Sequence, residues 1–507
     1  MNTEPPSQGS ERTLREKLLA GSLWMLAARW LVRLLSLVNL VVLARLLDKD
    51  DFGIVAMATA VTALPTALVT FGMEQAIIRQ HRPSEDIYNT AWTIRAIQFA
   101  VVALLIFLSA PAMTEYFGDG RLLDVLLVLS AVLFIRGCES SWVISFRKQM
   151  RYKQDFLYES TVRVLAVAAT IIIALVIQSY WALIIGQLIG VCSRLLISLF
   201  VVPQKPRITL KCWRALLSYS IWSLPKEFAG YVLRDGDKLI VGRLLTSAAV
   251  GSYTLGREVA SMPLTEIAGP INRSLGPGFS ELQHDRNHLV ASLGKSLGAV
   301  ALITFPMAAG LALTSQYVVA IVLGEKWLSA APVLAIFALS GTFAAMRLTI
   351  DHALVNTGHI FASAVVTCIG AATAVGLAIP LTVQAGAPGA AIGFSLGILA
   401  NLVALHVYCC VIFPLYSTGF VFRMIGRPVC GALLMALGVT AVAQIGIENI
   451  YIAFACQVVT GCLLYAAVIY ILWRVSGYPD SAENEIAMRL GWPVSGRSNY
   501  ARRRRVR

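Results

Sequence analysis

LLAGSLWMLAARWLVRLLSLVNLVVLARLLDKDDFGIVAMATAVTALP, residues 18–65, lies without a gap over LLSYSIWSLPKEFAGYVLRDGDKLIVGRLLTSAAVGSYTLGREVASMP, residues 216–263. Identical pairs include Ser22/Ser220, Trp24/Trp222, Arg45/Arg243, Gly53/Gly251 and Pro65/Pro263. Leucine matches are cheap in an apolar chain. Matches of Trp, Arg, Gly and Pro in one register are not, although the similarity fades after Pro65. The duplicated piece is apolar enough to span a membrane. Two related helix bundles in one chain are the sequence mark of a transporter that rocks one half against the other around a central site.

Composition points the same way. The 507 residues are 57% hydrophobic and 14% charged, with a mean hydropathy of +0.71. A soluble globular chain carries about 25% charged residues. Apolar runs recur from about Leu18 to Trp473, each near the ~20 residues that cross the hydrocarbon core as a helix. They lack the alternation of a membrane barrel. The expected fold is an all-α polytopic membrane protein with 14 transmembrane helices. They fall near 20–46, 53–78, 89–111, 121–145, 156–178, 181–202, 213–242, 249–272, 294–322, 329–356, 361–384, 388–413, 424–446 and 451–474. Six of these separate the two copies of the repeat. An even number gives both copies one orientation, as parallel repeats have.

The expected organisation is an N-terminal segment at 1–17, a six-helix bundle at 18–202 and a linker at 203–212. A second six-helix bundle follows at 213–413, then two additional helices at 424–474 and a basic tail at 475–507. Polar residues precede the first apolar run, so no cleavable signal is expected. With the N-terminus inside, the outer loops hold only Arg45, Lys49, Arg121, Arg243 and Lys326. The other loop cations fall inside, which predicts both termini on the cytoplasmic side. The net charge of +14 is then topological and implies no nucleic acid partner. The tail ending Arg502, Arg503, Arg504, Arg505, Val506, Arg507 suits anionic lipid headgroups or a simple topological anchor. The nine cysteines show no CxxC or Cys/His ligand spacing, so packing roles are expected and no metal or cofactor is implied.

Charge inside a bilayer is expensive and faces a cavity or a partner. On the first helix, Ser22, Arg29, Arg33 and Ser36 share one face at ~100° per residue. No acid is near enough in sequence to cancel the two arginines. On the seventh helix, Glu227, Arg234 and Lys238 cluster on one face, Lys226 and Asp237 form an adjacent stripe, and Asp235 lies on the other flank. Polar faces on these two repeat-equivalent helices predict a shared central space. Arg29, Arg33, Arg234 and Lys238 are therefore the candidate substrate-binding residues. Asp235, Asp237 and Glu74 are candidates for ion coupling, or are permanent counter-ions to their neighbours. Further intramembrane cations are Arg95, Arg136, Arg163, Arg194, Arg257 and Arg347. Arg136/Glu139 and Arg347/Asp351 have the i,i+3 and i,i+4 spacing of structural pairs. A surplus of arginine points to an anionic ligand, because guanidinium grips phosphate oxygens through two parallel hydrogen bonds and stays charged when desolvated. Prolines within the spans, Pro65 and Pro263 among them, suit bent helices and a gating motion or static packing.

The stretch LVVLARLLDKDDFGIVAMATAV, residues 40–61, resembles the "ARLLxPxDFG" signature of Wzx-type polysaccharide flippases. These belong to the polysaccharide transporter branch of the MOP superfamily, with the lipid II flippase and MATE exporters. Residues 232–263, INRSLGPGFSEL at 271–282 and VLGEKWLSAAPVLAI at 322–336 are similar to the same family. Lys49 stands where the family has a proline. The resemblance implies two six-helix bundles around a cavity in a bacterial inner membrane. It also implies export of undecaprenyl-diphosphate-linked oligosaccharide for exopolysaccharide, capsule or O-antigen, beside a polysaccharide polymerase and chain-length or export proteins. It implies no catalysis. A MATE-like drug exporter is the alternative reading, disfavoured by the cation surplus. A polymerase is disfavoured because no large loop or catalytic constellation is present.

Overall fold

The computed structural model describes residues 8–69, 77, 83–149, 151–214, 224–263 and 285–476. The described residues are helical throughout their regular structure, and ten helices are long and apolar enough to cross a membrane. The chain is thus a multi-pass membrane protein. In a bilayer each backbone N–H and C=O must be satisfied within its own segment, and the helix does this.

The helices are α1 (Gln8–Leu46), α2 (Lys49–Val69), α3 (Glu85–Phe117), α4 (Arg121–Gly137), α5 (Tyr152–Ile177) and α6 (Trp181–Val201). They continue with α7 (Leu224–Leu244), α8 (247–263), α9 (Arg286–Leu313) and α10 (Ala331–Asn356). The element Ile360–Ile412 contains Gly386 at φ 63°, ψ −142°, which only glycine adopts readily. That residue separates α11 (360–385) from α12 (387–412), the break the sequence places there. Last come α13 (Thr418–Ala443) and α14 (Ile450–Val475). Short helices at Ile144–Lys148 and Ser315–Val322 lie between them. One expectation shifts. The ninth span starts at Arg286 and ends at Leu313, because Thr314 leaves the helix before Ser315–Val322 begins. Pro332 stands in the first turn of α10, where its missing N–H costs no hydrogen bond.

Local chemistry sets the ends. The Asp285 carboxylate accepts from the backbone N–H of Asn287 and His288 at the start of α9. Ser417 and Asn449 cap α13 and α14 the same way. Each satisfies donors that a helix leaves open in its first turn.

The chain divides into two compact units, residues 1–231 with 246–251, and residues 232–245 with 252–507. In the first, α3 packs on α4, α5 on both α1 and α6, and α4 on α6. Its core includes Tyr88 stacked on Trp142 at 4.3 Å between centroids, with Ile94, Phe146 and Tyr158. Residues 203–212, read as a linker, are tied to α3. Asn89 Oδ1 accepts from the Arg207 N–H, Thr93 Oγ1 from Thr209, and Thr90 Oγ1 from Cys212. Within the same unit the first turns of α2 and α8 meet reciprocally. A Cβ on Gly53 would stand 1.9 Å from the Ser247 carbonyl oxygen, and one on Gly251 2.0 Å from that of Lys49. Positions 49/247 and 53/251 are partners in the sequence register.

In the second unit α9 packs on α10 and α13, and α13 on α14. Its core holds Leu289, Leu293, Ile350, Leu405 and Tyr416. The α11–α12 hairpin closes on small residues. Gly393 and Gly397 face Ala378 and Ala374, with no space for a Cβ. Small residues let backbones approach closely where burial of oil against oil supplies no force. Phe200 and Phe361, more than four-fifths exposed, mark surfaces suited to lipid.

Candidate functional site

Within the first unit, α1 to α6 line an open cavity of about 1050 Å³. Among the described residues five arginines line it, Arg95, Arg136, Arg147, Arg163 and Arg194, with Glu139 and Glu159 as the acids. The remaining polar wall includes Asn39, Thr59, Thr62, Thr66, Ser140 and Gln187.

Three of the arginines are spoken for. Arg95 Nη2 donates to Glu139 Oε2 at 2.6 Å, and Arg194 Nη1 reaches Glu139 Oε1 at 3.4 Å. Arg194 Nη2 donates to Glu159 Oε2 at 2.6 Å, and Arg147 bridges Glu159 at 3.3 Å and Asp155 at 3.2 Å. The result is a ladder of alternating sign, Arg95–Glu139–Arg194–Glu159–Arg147–Asp155. The Tyr158 hydroxyl donates to Glu139 Oε1 at 2.7 Å, completing a carboxylate that is almost fully buried.

Arg136 and Arg163 stand outside the ladder. The i,i+3 reading of Arg136/Glu139 is corrected: Glu139 is taken by Arg95 and Arg194, from α3 and α6. Arg136 instead lies over the Phe99 ring at 5.7 Å, and its carbonyl accepts from Arg95. Arg163 donates from Nη2 to the Ser36 hydroxyl of α1 at 2.6 Å, while its buried Nε has no acceptor among the described residues. Neither guanidinium has a carboxylate partner among the described residues.

Of the sequence candidates, Arg29 and Arg33 sit half-buried on α1 and are not among the residues lining this cavity. The same helix reaches it through Val32 and Asn39. In the second unit Asp235 lies between two cations, Lys238 Nζ at 2.8 Å and Arg234 Nε at 3.4 Å. The carboxylate read as lying on the other flank is a local partner of both, adjacent to Arg234 and three residues from Lys238. Asp237 is fully buried. It accepts from the Tyr253 hydroxyl at 2.7 Å and pairs with Arg257 of α8, whose guanidinium lies 4.8 Å over Phe337. Asp351 accepts from Ser363 Oγ of α11. Glu74 lies outside the described residues.

Comparison with known proteins fits this geometry. Residues 42–332 match the polysaccharide biosynthesis protein family. The chain is similar to the lipopolysaccharide biosynthesis protein WzxC of Escherichia coli (strain K12), 26% identical over 76% of this chain and 79% of WzxC. It is also similar to the succinoglycan biosynthesis transport protein ExoT of Rhizobium meliloti (strain 1021), 24% identical over 87% and 90%. Among solved structures it resembles the lipid II flippase MurJ in an inward closed conformation, with a TM-score of 0.72 and 15% identity over 89% of this chain and 99% of MurJ. An inward-facing multidrug resistance MATE family transporter of the MOP superfamily gives 0.57 and 12% identity over 76% and 94%. The fold is therefore that of flippases and exporters of this superfamily. By its sequence the chain belongs to the polysaccharide biosynthesis protein family.

Proposed function

We propose that this protein flips polyprenyl-diphosphate-linked oligosaccharide repeat units across the bacterial inner membrane for exopolysaccharide, capsule or O-antigen assembly. The observation that carries the reading is the family match over residues 42–332, joined by relatives named for polysaccharide biosynthesis and transport. A membrane bundle with an arginine-rich interior supports it, since a pump for organic cations needs the opposite field. The fourteen helices are read as two parallel six-helix bundles with α13 and α14 added, both termini cytoplasmic. The diphosphate is held by Arg29 and Arg33 of α1 with Arg234 and Lys238 of α7, while the polyprenyl chain stays in lipid. Neutralising the headgroup removes the main electrostatic obstacle to crossing, and rocking of the bundles turns it outward. Asp235 and Asp237 act as counter-ions to their cations, and Glu74 is the remaining candidate for ion coupling. A polymerase and chain-length proteins take the flipped unit onward.

The test is a deletion strain. Loss of polymer with lipid-linked repeat units trapped on the cytoplasmic leaflet supports the proposal. Normal polymer with new sensitivity to cationic dyes would transfer the protein to the drug exporters.

A further inference from the structure

We infer that residues 203–214, the strap between the two copies of the repeat, form a docking surface for the headgroups of anionic phospholipids. The strap begins where the bilayer core ends. α6 has 21 residues, Trp181–Val201, close to the ~20 that cross the hydrocarbon, and the chain turns extended at Val202. The strap then lies along the first turns of α3. At ~1.5 Å per residue the 33 residues of that helix reach ~50 Å, against ~30 Å of hydrocarbon. The strap is thus at the level of the headgroup layer.

Its backbone is fixed and its side chains are not covered. Val202 is buried in the core around Tyr88 and Trp142. Asn89, Thr90 and Thr93 of α3 are buried and accept from the backbone N–H groups of Arg207, Cys212 and Thr209. Pro203 and Pro206 restrict the backbone further. The outward side chains are of two kinds. Ile208 is 83% exposed, and Leu210 and Trp213 are nearly half exposed. Beside them Lys205, Arg207, Lys211 and Arg214 are all exposed. Asp86 offsets Lys211 at 3.4 Å, and Arg214 lies over the Trp213 ring at 5.4 Å. Lys205, Arg207 and Arg214 have no carboxylate partner among the described residues.

Continuity and charge select the occupant. Leu196, Leu199 and Phe200 share an exposed apolar face of α6 that runs directly into the strap, so Ile208, Leu210 and Trp213 extend a surface suited to lipid. Tryptophan favours the membrane interface, and Lys and Arg keep their charged heads among the headgroups while their stems cover apolar surface. Three unpaired cations in that layer favour a lipid of net negative charge over a zwitterionic one. Lipid bound there holds the linker of the repeat on the membrane surface. This surface is separate from the arginine-lined cavity and is tested without transport.

Photo-crosslinking of the full chain provides the test. Benzoylphenylalanine replaces Ile208, or Leu104 on the exposed face of α3 as a control, in vesicles of equal parts phosphatidylglycerol and phosphatidylcholine. Mass spectrometry then counts the lipid adducts. At 208 phosphatidylglycerol should exceed phosphatidylcholine about fivefold or more, the factor that one Lys or Arg near an anionic surface is worth. At 104 the two should be near equal. Lys205→Gln, Arg207→Gln and Arg214→Gln together should bring position 208 down to the ratio at 104, while lipid adducts at 104 show that the variant remains inserted. Equal labelling of the two lipids at 208 in the chain with its cations intact overturns the proposal. So does a preference that survives the triple change. Adducts to protein in place of lipid at 208 assign the surface to another chain and overturn it too, as does absence of any adduct there while 104 labels.

Discussion

Glu139→Gln removes one charge from the ladder while keeping the size and outline of the side chain. Glu139 bonds Arg95 at 2.6 Å, Arg194 at 3.4 Å and the Tyr158 hydroxyl at 2.7 Å. After the change Arg194 still has the Glu159 carboxylate at 2.6 Å, but Arg95 is left with neutral partners alone, the new amide oxygen, the Arg136 carbonyl at 3.2 Å and the Phe99 ring. Breaking a buried ion pair from one side costs about 3–5 kcal/mol. The side chain of Arg95 is 23% exposed and that of Glu139 8%, so water recovers part of the loss and the lower end, about 3 kcal/mol, applies. A double-mutant cycle isolates the pair. Arg95→Gln alone should destabilise, and Arg95→Gln with Glu139→Gln should cost less than the sum by about 1.5–3 kcal/mol, the range for coupled partners. Denaturant titration of the purified chain in mixed micelles, read by tryptophan fluorescence, measures all three variants. Strict additivity, or a Glu139→Gln loss below about 1 kcal/mol, would show that the ladder does not hold the bundle.

Three further predictions concern other parts of the chain. Gly53→Ala puts a Cβ 1.9 Å from the Ser247 carbonyl where ordinary contact begins near 3.4 Å, so the α2 and α8 turns must part by about 1.5 Å, at about 1–3 kcal/mol for overpacking. A lower thermal midpoint is expected for it and for Gly251→Ala, with the pair less than additive; an unchanged midpoint in both would mean the crossing is loose. In the α3–α4 loop the Arg121 side chain donates to both oxygens of Asp119 at 3.0 and 2.8 Å and holds that carboxyl below its ordinary value. A depressed folded pKa means that the pair is intact above the unfolded aspartate pKa near ~3.9 and is lost as pH falls through the lower folded one. A carbon-13 NMR titration of Asp119 placing its midpoint at or above the ordinary aspartate range contradicts the geometry. Replacing Arg29 and Arg33 together by Ala should abolish polymer export while leaving membrane insertion intact; normal export in that variant takes both out of the transport site.

The sequence by itself determined the class of this protein. Hydropathy and scarce charge demand helices in a bilayer, because length and apolarity are properties of contiguous residues. Gly386 followed by Pro388 marks the break between α11 and α12 for the same local reason. The 198-residue register also pairs Gly53 with Gly251 from residue identity alone. Which charges cancel was not legible. Helical angle pairs Arg136 with Glu139, yet the carboxylate goes to Arg95 and Arg194, distant in sequence and brought near by α3 and α6. Only tertiary packing decides such partners, since Coulomb energy depends on distance in space and a side chain's reach exceeds the spacing that sequence can express.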